Sequence, residues 1–256
     1  MAKVEKSHWW YRTLHNLVLD TLKSNFDSKK IRLVDAGCGT GGLIQKLTTA
    51  GYVNATGFDV SEYAIAWGEL RGLPVTTWCL TDLGSFNAPE QYDAIISNDT
   101  LYHLSLPEQL RFFDGAFNRL DPGGILIMNL PALNTFRGTH DAAVGILHRF
   151  SHIEIGRVAL ASGFEIVSYR YWPFLLSPII YTVRKCQRFL QARAAKKTIK
   201  SDLRLHSAIT NHALYYLTSL ELIFPLSSPF GSSLFVVLRK SLKHPLSFGV
   251  TSSEGD

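Results

Sequence analysis

Along the chain, short continuous runs of β-branched and aromatic residues alternate with longer stretches whose apolar residues recur every third or fourth position. Residues 31–34, 55–59, 75–80, 91–98, 125–129, 163–169 and 233–239 form the short runs and read as strands. Their unbroken apolar centres suit strands buried on both faces. Between them, Leu43, Ile44 and Leu47 mark one apolar helical stripe. Ser61 stands as the cap of a second helix, and Pro107 near the first turn of a third, over 107–120. Another helix covers 153–161. The repeat of strand, crossover and helix over 31–130 predicts an α/β chain with a doubly wound, mostly parallel sheet.

The first strand runs straight into Asp35-Ala36-Gly37-Cys38-Gly39-Thr40-Gly41-Gly42. Glycines here let the backbone turn sharply and approach a ligand, and the helix behind them offers unpaired N–H groups. A dinucleotide site wants G-x-G-x-x-G beneath a pyrophosphate. An acid at the strand end repels a phosphate, yet it accepts hydrogen bonds from an ammonium or through water. Asp59 ends the second strand just under twenty residues beyond the turn, a spacing that places a carboxylate beside a ribose. The fourth strand closes on Asn98-Asp99-Thr100-Leu101-Tyr102-His103-Leu104. Polar groups at that carboxyl end point into the same crevice.

The D-x-G-x-G-x-G turn, followed by these elements in order, resembles the first motif of class I S-adenosylmethionine-dependent methyltransferases. The resemblance implies a seven-stranded sheet whose last strand is antiparallel beside the fifth and sixth. It implies S-adenosylmethionine as cofactor, with Asp35, Gly37, Cys38, Gly39 and Gly41 around the methionine. Asp59 then meets the ribose and Asp82 and Leu83 the adenine, with Val60 and Asn98 also binding the cofactor. The opening helix carries His8-Trp9-Trp10-Tyr11-Arg12, and neighbours on a helix point about 100° apart, so its aromatics serve more than one surface. It either packs on the sheet edge or covers the cofactor, with Arg12 reaching the methionine carboxylate. The implied reaction is in-line methyl transfer to a small-molecule or lipid-linked metabolite, with His103 as general base for an acceptor that must lose a proton. A non-catalytic protein that binds the cofactor or a partner is the alternative on the same fold. No N-P-P-[YF] motif follows the fourth strand, which argues against base or amide N-methylation.

One long insertion, 172–232, separates the sixth strand from the last. It opens apolar, over 172–181, then carries eight Lys or Arg against Asp202 between Arg184 and Arg204. That local charge near +7 exceeds the whole chain's +5, so the remainder is near neutral or mildly acidic. The insertion reads either as a helical hairpin over the sheet edge or as a lipid-facing cap, with peripheral membrane contact through 172–204. Its basic run lacks the interleaved aromatics that stack on bases, which argues against nucleic acid. The loop 131–151 leaves the sheet where the reacting methyl belongs, and Arg137, His148 and Arg149 are its candidates for holding a substrate. Its histidines match no zinc spacing, so no metal is expected. Three cysteines without paired spacing, no signal peptide and no apolar run of about 18 residues suggest a cytoplasmic protein. The expected division is a cap helix over 1–30, a core over 31–171 and 233–240, the insertion, and a disordered tail over 244–256.

Overall fold

The computed structural model describes residues 5, 7–87, 90–193, 207–223 and 228–241. Most of the basic run and the whole 244–256 tail lie outside these described residues. Seven strands form one sheet in the order β3-β2-β1-β4-β5-β7-β6. They are β1 (Leu33–Ala36), β2 (Ala55–Asp59), β3 (Val75–Thr77), β4 (Tyr92–Asn98), β5 (Leu120–Pro131), β6 (Phe164–Trp172) and β7 (Ser233–Lys240). The first five are parallel, and β7 runs antiparallel between β5 and β6.

The register brings the functional ends level. Asp35 pairs with Gly57 and Ile96, Asn98 with Asn129, and Pro131 and Trp172 both with Ser233. The carboxyl ends of β1, β2, β4 and β5 therefore meet the end of β6 and the start of β7 along one edge. The strand order reverses between β1 and β4, where open α/β sheets bind ligands.

Side chains alternate across the sheet, so consecutive apolar residues feed two cores. Val34, Ile95, Leu126 and Met128 join Phe112 and Phe113 of α4 (Leu106–Arg119). Leu33, Ile96 and Ile127 join Leu14, Val18 and Leu22 of α1 (Trp9–Asn25) and Ile44 and Leu47 of α2 (Gly42–Thr49). Ser61 caps α3 (Glu62–Glu69), accepting from the Ala64 N–H at 3.3 Å.

Two elements differ from the sequence pattern. The third strand stops at Thr77, and Leu80–Ser85 coils into a 3-10 turn. The fifth begins at Leu120, where the Tyr92–Leu120 pairing and a bulge before Ala94 carry 121–124 along the sheet edge. After β5 come α5 (Thr139–Val144) and α6 (His152–Ala161).

The insertion folds as α7 (Ser177–Arg193) and α8 (Ala208–Ile223). α8 braces the N-terminal helix. The Trp9 N–H donates to Asn211 Oδ1 at 2.8 Å, Thr13 and Thr218 hydroxyls meet at 3.0 Å, and Asn16 Nδ2 donates to the Tyr215 hydroxyl at 2.8 Å. No helix among the described residues is long and apolar enough to cross a membrane.

Candidate active site

A cavity of about 1030 Å³ opens along the carboxyl edge of the sheet, floored by the glycine turn and roofed by α1. The turn is tied to β2, because the Gly37 and Cys38 N–H groups both donate to the Phe58 carbonyl at 2.8 Å. Gly37 has φ +85°, and a Cβ there would collide with the Thr100 methyl, so both backbone and space demand glycine. Asp59 closes the turn from the other side. Its Oδ2 accepts from the Gly39 N–H and its Oδ1 from the Ser61 N–H, each at 2.9 Å. These bonds leave lone pairs on both oxygens for a ligand.

Trp9, Trp10, Tyr11, Leu14 and His15 of α1 face the cavity. Trp10 stacks on the fully buried Trp172, with ring centroids 5.4 Å apart. Trp172 Nε1 donates to Asn129 Oδ1 at 2.9 Å, and Asn129 Nδ2 donates to Asp99 Oδ2 at 3.0 Å. The indole donor thus fixes the Asn129 amide and turns its NH₂ toward Asp99. Glu5 adds a further carboxylate beside the turn, accepting from the Thr40 hydroxyl at 2.6 Å.

The cavity is acidic around the turn. Burial, then Glu5 and Asp59, push the Asp35 carboxyl up to about 8. Burial pushes Asp99 up to about 7 against the opposing pull of Asn129 and Arg149. Burial lowers His103, with Asp59 pulling the other way, and lowers His15 to about 4. Neutral imidazole is therefore the resting form of both. Among the described residues, the Arg and Lys side chains lining the cavity are Arg149 and Arg184. This charge pattern suits a ligand with a cationic group over the glycine turn and opposes a pyrophosphate there.

Among the residues singled out in the sequence, Asp35, Gly37, Cys38, Gly39, Asp59, Val60, Asn98, His103 and Arg149 line the cavity. Six others stand elsewhere. Arg12 turns to α8, its guanidinium carbon 3.7 Å from the centre of the Tyr215 ring, a cation–π contact that takes it off the cofactor side. Gly41 caps α2 with φ +80°, and its Cβ direction points at Leu73, not the cavity. Because β3 ends early, Trp78, Cys79 and Leu80 form the wall assigned to Asp82 and Leu83. Leu83 is fully buried in the core. Arg137 is exposed and donates to the Leu147 carbonyl at 2.9 Å. His148 lies 3.5 Å from Glu154 at the surface.

Arg149 reaches the cavity wall, but four of its five N–H donors are engaged within the protein. Nε and Nη2 bind the two Asp141 oxygens at 2.6 and 2.8 Å, and Nη1 binds the carbonyls of Ala132 and Ser232 at 2.8 and 3.2 Å. These bonds fasten the loop to the segments beside it. Sequence reasoning missed Glu5, Trp78, Asp99, His140, Arg184 and Gln187 as lining residues. Only Asp99 carried a signal, as the neighbour of Asn98 at a strand end.

A sequence model described as a methyltransferase domain matches residues 8–169. The malonyl-[acyl-carrier protein] O-methyltransferase of Bacillus cereus is 32% identical over 130 residues, 49% of this chain and 47% of that protein. The trans-aconitate 2-methyltransferase of Rhizobium leguminosarum bv. trifolii is 32% identical over 101 residues, 39% and 38% of the two chains. The chain thus spans under half the length of these curated relatives. An S-adenosylmethionine-dependent methyltransferase from Archaeoglobus fulgidus shares the fold, with TM-score 0.56 at 15% identity over 88% of this chain and 94% of that one. The matched segment runs from α1 through the glycine turn and Asp59 into β6, and the chain belongs to the class I S-adenosylmethionine-dependent methyltransferases.

Proposed function

We propose that this chain transfers the methyl group of S-adenosylmethionine to a small acidic molecule bound in the same cavity. The observation that carries the reading is the pairing of Asp35 and Asp59 across a glycine turn, in a cavity whose acids favour a cationic ligand and disfavour a pyrophosphate. When bound, S-adenosylmethionine supplies a methyl already activated on a sulfonium. Asp35 takes the ammonium, Asp59 the ribose hydroxyls, and Trp78, Cys79 and Leu80 the adenine, replacing Asp82 and Leu83 in that role. Gly37 and Gly39 let the backbone come close. The aromatic side chains of α1 exclude water, and alignment of acceptor with methyl is worth roughly 7–11 kcal/mol.

The relatives' names support an acidic acceptor, since malonyl and trans-aconitate both carry carboxyl groups. A carboxylate acceptor needs no base. For a hydroxyl acceptor, His103 would take the proton; it lines the cavity, and burial favours its neutral form. Val144, Ile146 and Ile180 give the wall an apolar patch that suits an acyl body, so a lipid-linked acceptor falls within this proposal.

Calorimetric titration of the purified chain with S-adenosylhomocysteine, run beside NAD, tests the cofactor. Heat from the first and none from the second is expected, followed by label transfer from methyl-labelled S-adenosylmethionine to an acidic acceptor. Failure to bind S-adenosylhomocysteine, or equal binding of NAD, would sink the assignment.

The same titration carries a pH signature. Asp35 is raised from 3.8 to about 8, so its stabilising contribution is complete below pH ~4 and disappears as pH climbs through about 8. The ligand ammonium favours the carboxylate form, whose population grows over that upper range. Affinity for S-adenosylhomocysteine is therefore expected to rise about tenfold per pH unit from 6 toward 8 and then level off. An affinity unchanged between pH 6 and 8 would remove Asp35 from this contact.

A further inference from the structure

We propose that the outer face of α8 docks on an anionic lipid surface, with cations of the insertion meeting the headgroups. α8 is turned inside out for a helix bathed in water. Residues 211, 215 and 218 are spaced three or four apart and share one stripe. Asn211 accepts from the Trp9 N–H, the Tyr215 hydroxyl from Asn16, and the Thr218 hydroxyl meets that of Thr13, so polar bonds hold this inner stripe to α1. Two positions away, about 200° round the helix, runs a second stripe of Ile209, Ala213, Tyr216, Leu220 and Ile223. Ile209 is 84% exposed, Ile223 74%, Tyr216 63% and Leu220 54%.

A surface helix in water turns its apolar residues inward and its polar residues outward. α8 does the reverse, and no Lys, Arg or Asp falls within it. Its one acid, Glu221, is engaged by the chain beside it, its carboxylate accepting from the Phe174 and Leu175 N–H groups at 2.8 and 2.9 Å. Those bonds bring Leu175 beside the end of α8, and the Phe230 ring lies 5.1 Å from that of Phe174. Leu175 and Phe230 are exposed as well. Single exposed apolar side chains are ordinary on a protein surface, whereas a set aligned along one helix marks an interaction site.

Charge selects the partner. α7 leads toward α8 with Lys185 and Arg188 exposed, and residues 193–204 add five Lys or Arg against Asp202 in sequence. Ile179 and Val183, one turn apart on α7, are exposed ahead of those cations. At a bilayer, apolar side chains enter the acyl boundary while nearby Lys and Arg gain from anionic headgroups. A lipid surface therefore takes both features of the insertion at once. Because α8 is bonded to α1, which roofs the cavity, docking leaves that roof one helix layer from the bilayer.

The test is co-flotation of the full chain, without cofactor, with vesicles of phosphatidylcholine alone or containing about one-third phosphatidylserine. Binding to the anionic vesicles is expected, at least about tenfold weaker to phosphatidylcholine alone and weakened by high salt. Ile209→Gln, Leu220→Gln and Ile223→Gln together are expected to cost about tenfold or more. Their melting temperature should not change, because these side chains already meet water in the free protein. Lys185→Gln with Arg188→Gln leaves the apolar face intact and is expected to cost about tenfold at low salt. No binding to the anionic vesicles, equal binding to both lipids, or full binding by either variant would overturn the proposal. So would a dimer, seen by light scattering, that the triple variant converts to monomer, since a second copy would then cover the face. Vesicle binding is read without cofactor, so its failure leaves the S-adenosylmethionine assignment standing.

Discussion

Asp59→Ala is expected to lower affinity for S-adenosylhomocysteine at least ~100-fold by calorimetry, with little loss of thermal stability. Both carboxylate oxygens hold backbone N–H groups, from Gly39 and Ser61 at 2.9 Å. Truncation releases the glycine turn and removes the acceptor proposed for two ribose hydroxyls. Hydrogen bonds to a charged group are worth about 1.5–3 kcal/mol each, and 1.4 kcal/mol is a factor of ten. Losing two therefore reaches about 100-fold before any loosening of the turn is counted. Stability changes little because the same truncation relieves repulsion on buried Asp35, which Asp59 helps to push upward. Asp59→Asn separates charge from shape. An amide NH₂ must then face either the Gly39 or the Ser61 N–H, donor against donor, so a loss of at least tenfold is expected there too. A variant within threefold of wild type would remove Asp59 from the cofactor site.

The floor of the site was legible in the sequence because its determinants are local. Asp35, the glycines and Asp59 sit at strand ends set by short apolar runs, and parallel pairing brings such ends together. Less was legible wherever a distant segment decides orientation. Arg12 lies in an aromatic stretch that could face either way, and Tyr215, some two hundred residues later, draws it outward. Asp82 and Leu83 follow a strand whose apolar run continues past Thr77, but the backbone coils after that point and Trp78 Nε1 closes on the Asp82 carbonyl at 3.0 Å. Arg184 reads in sequence as the first residue of a basic run, yet its side chain is buried against Gly138 while Lys185 and Arg188 are exposed. Composition shows charge; only packing shows which charge is drawn inside.

Arg149 is the sharpest case, and it carries the largest expected effect on stability. An Arg in a loop at the ligand-binding edge invites a substrate role, and nothing in the spacing reveals that Asp141, eight residues earlier, closes on it. The pair is 3–4% exposed at both side chains, two-pronged, and further bonded to the carbonyls of Ala132 and Ser232. It thereby fastens α5 to the segments that leave β5 and enter β7. Removing one partner strands a buried charge, which costs about 3–5 kcal/mol. Asp141→Ala is accordingly expected to lower the melting temperature by roughly 6–20 °C, at about 2–4 °C per kcal/mol for a chain of this size. Replacing both partners, as Asp141→Leu with Arg149→Met, exchanges the pair for apolar packing and should recover most of that loss. Calorimetric melting of the three proteins decides the matter. A single variant that melts within 2 °C of wild type would mean that the guanidinium finds water or another anion when Asp141 is gone, and would return Arg149 to the cavity as a group free to meet substrate.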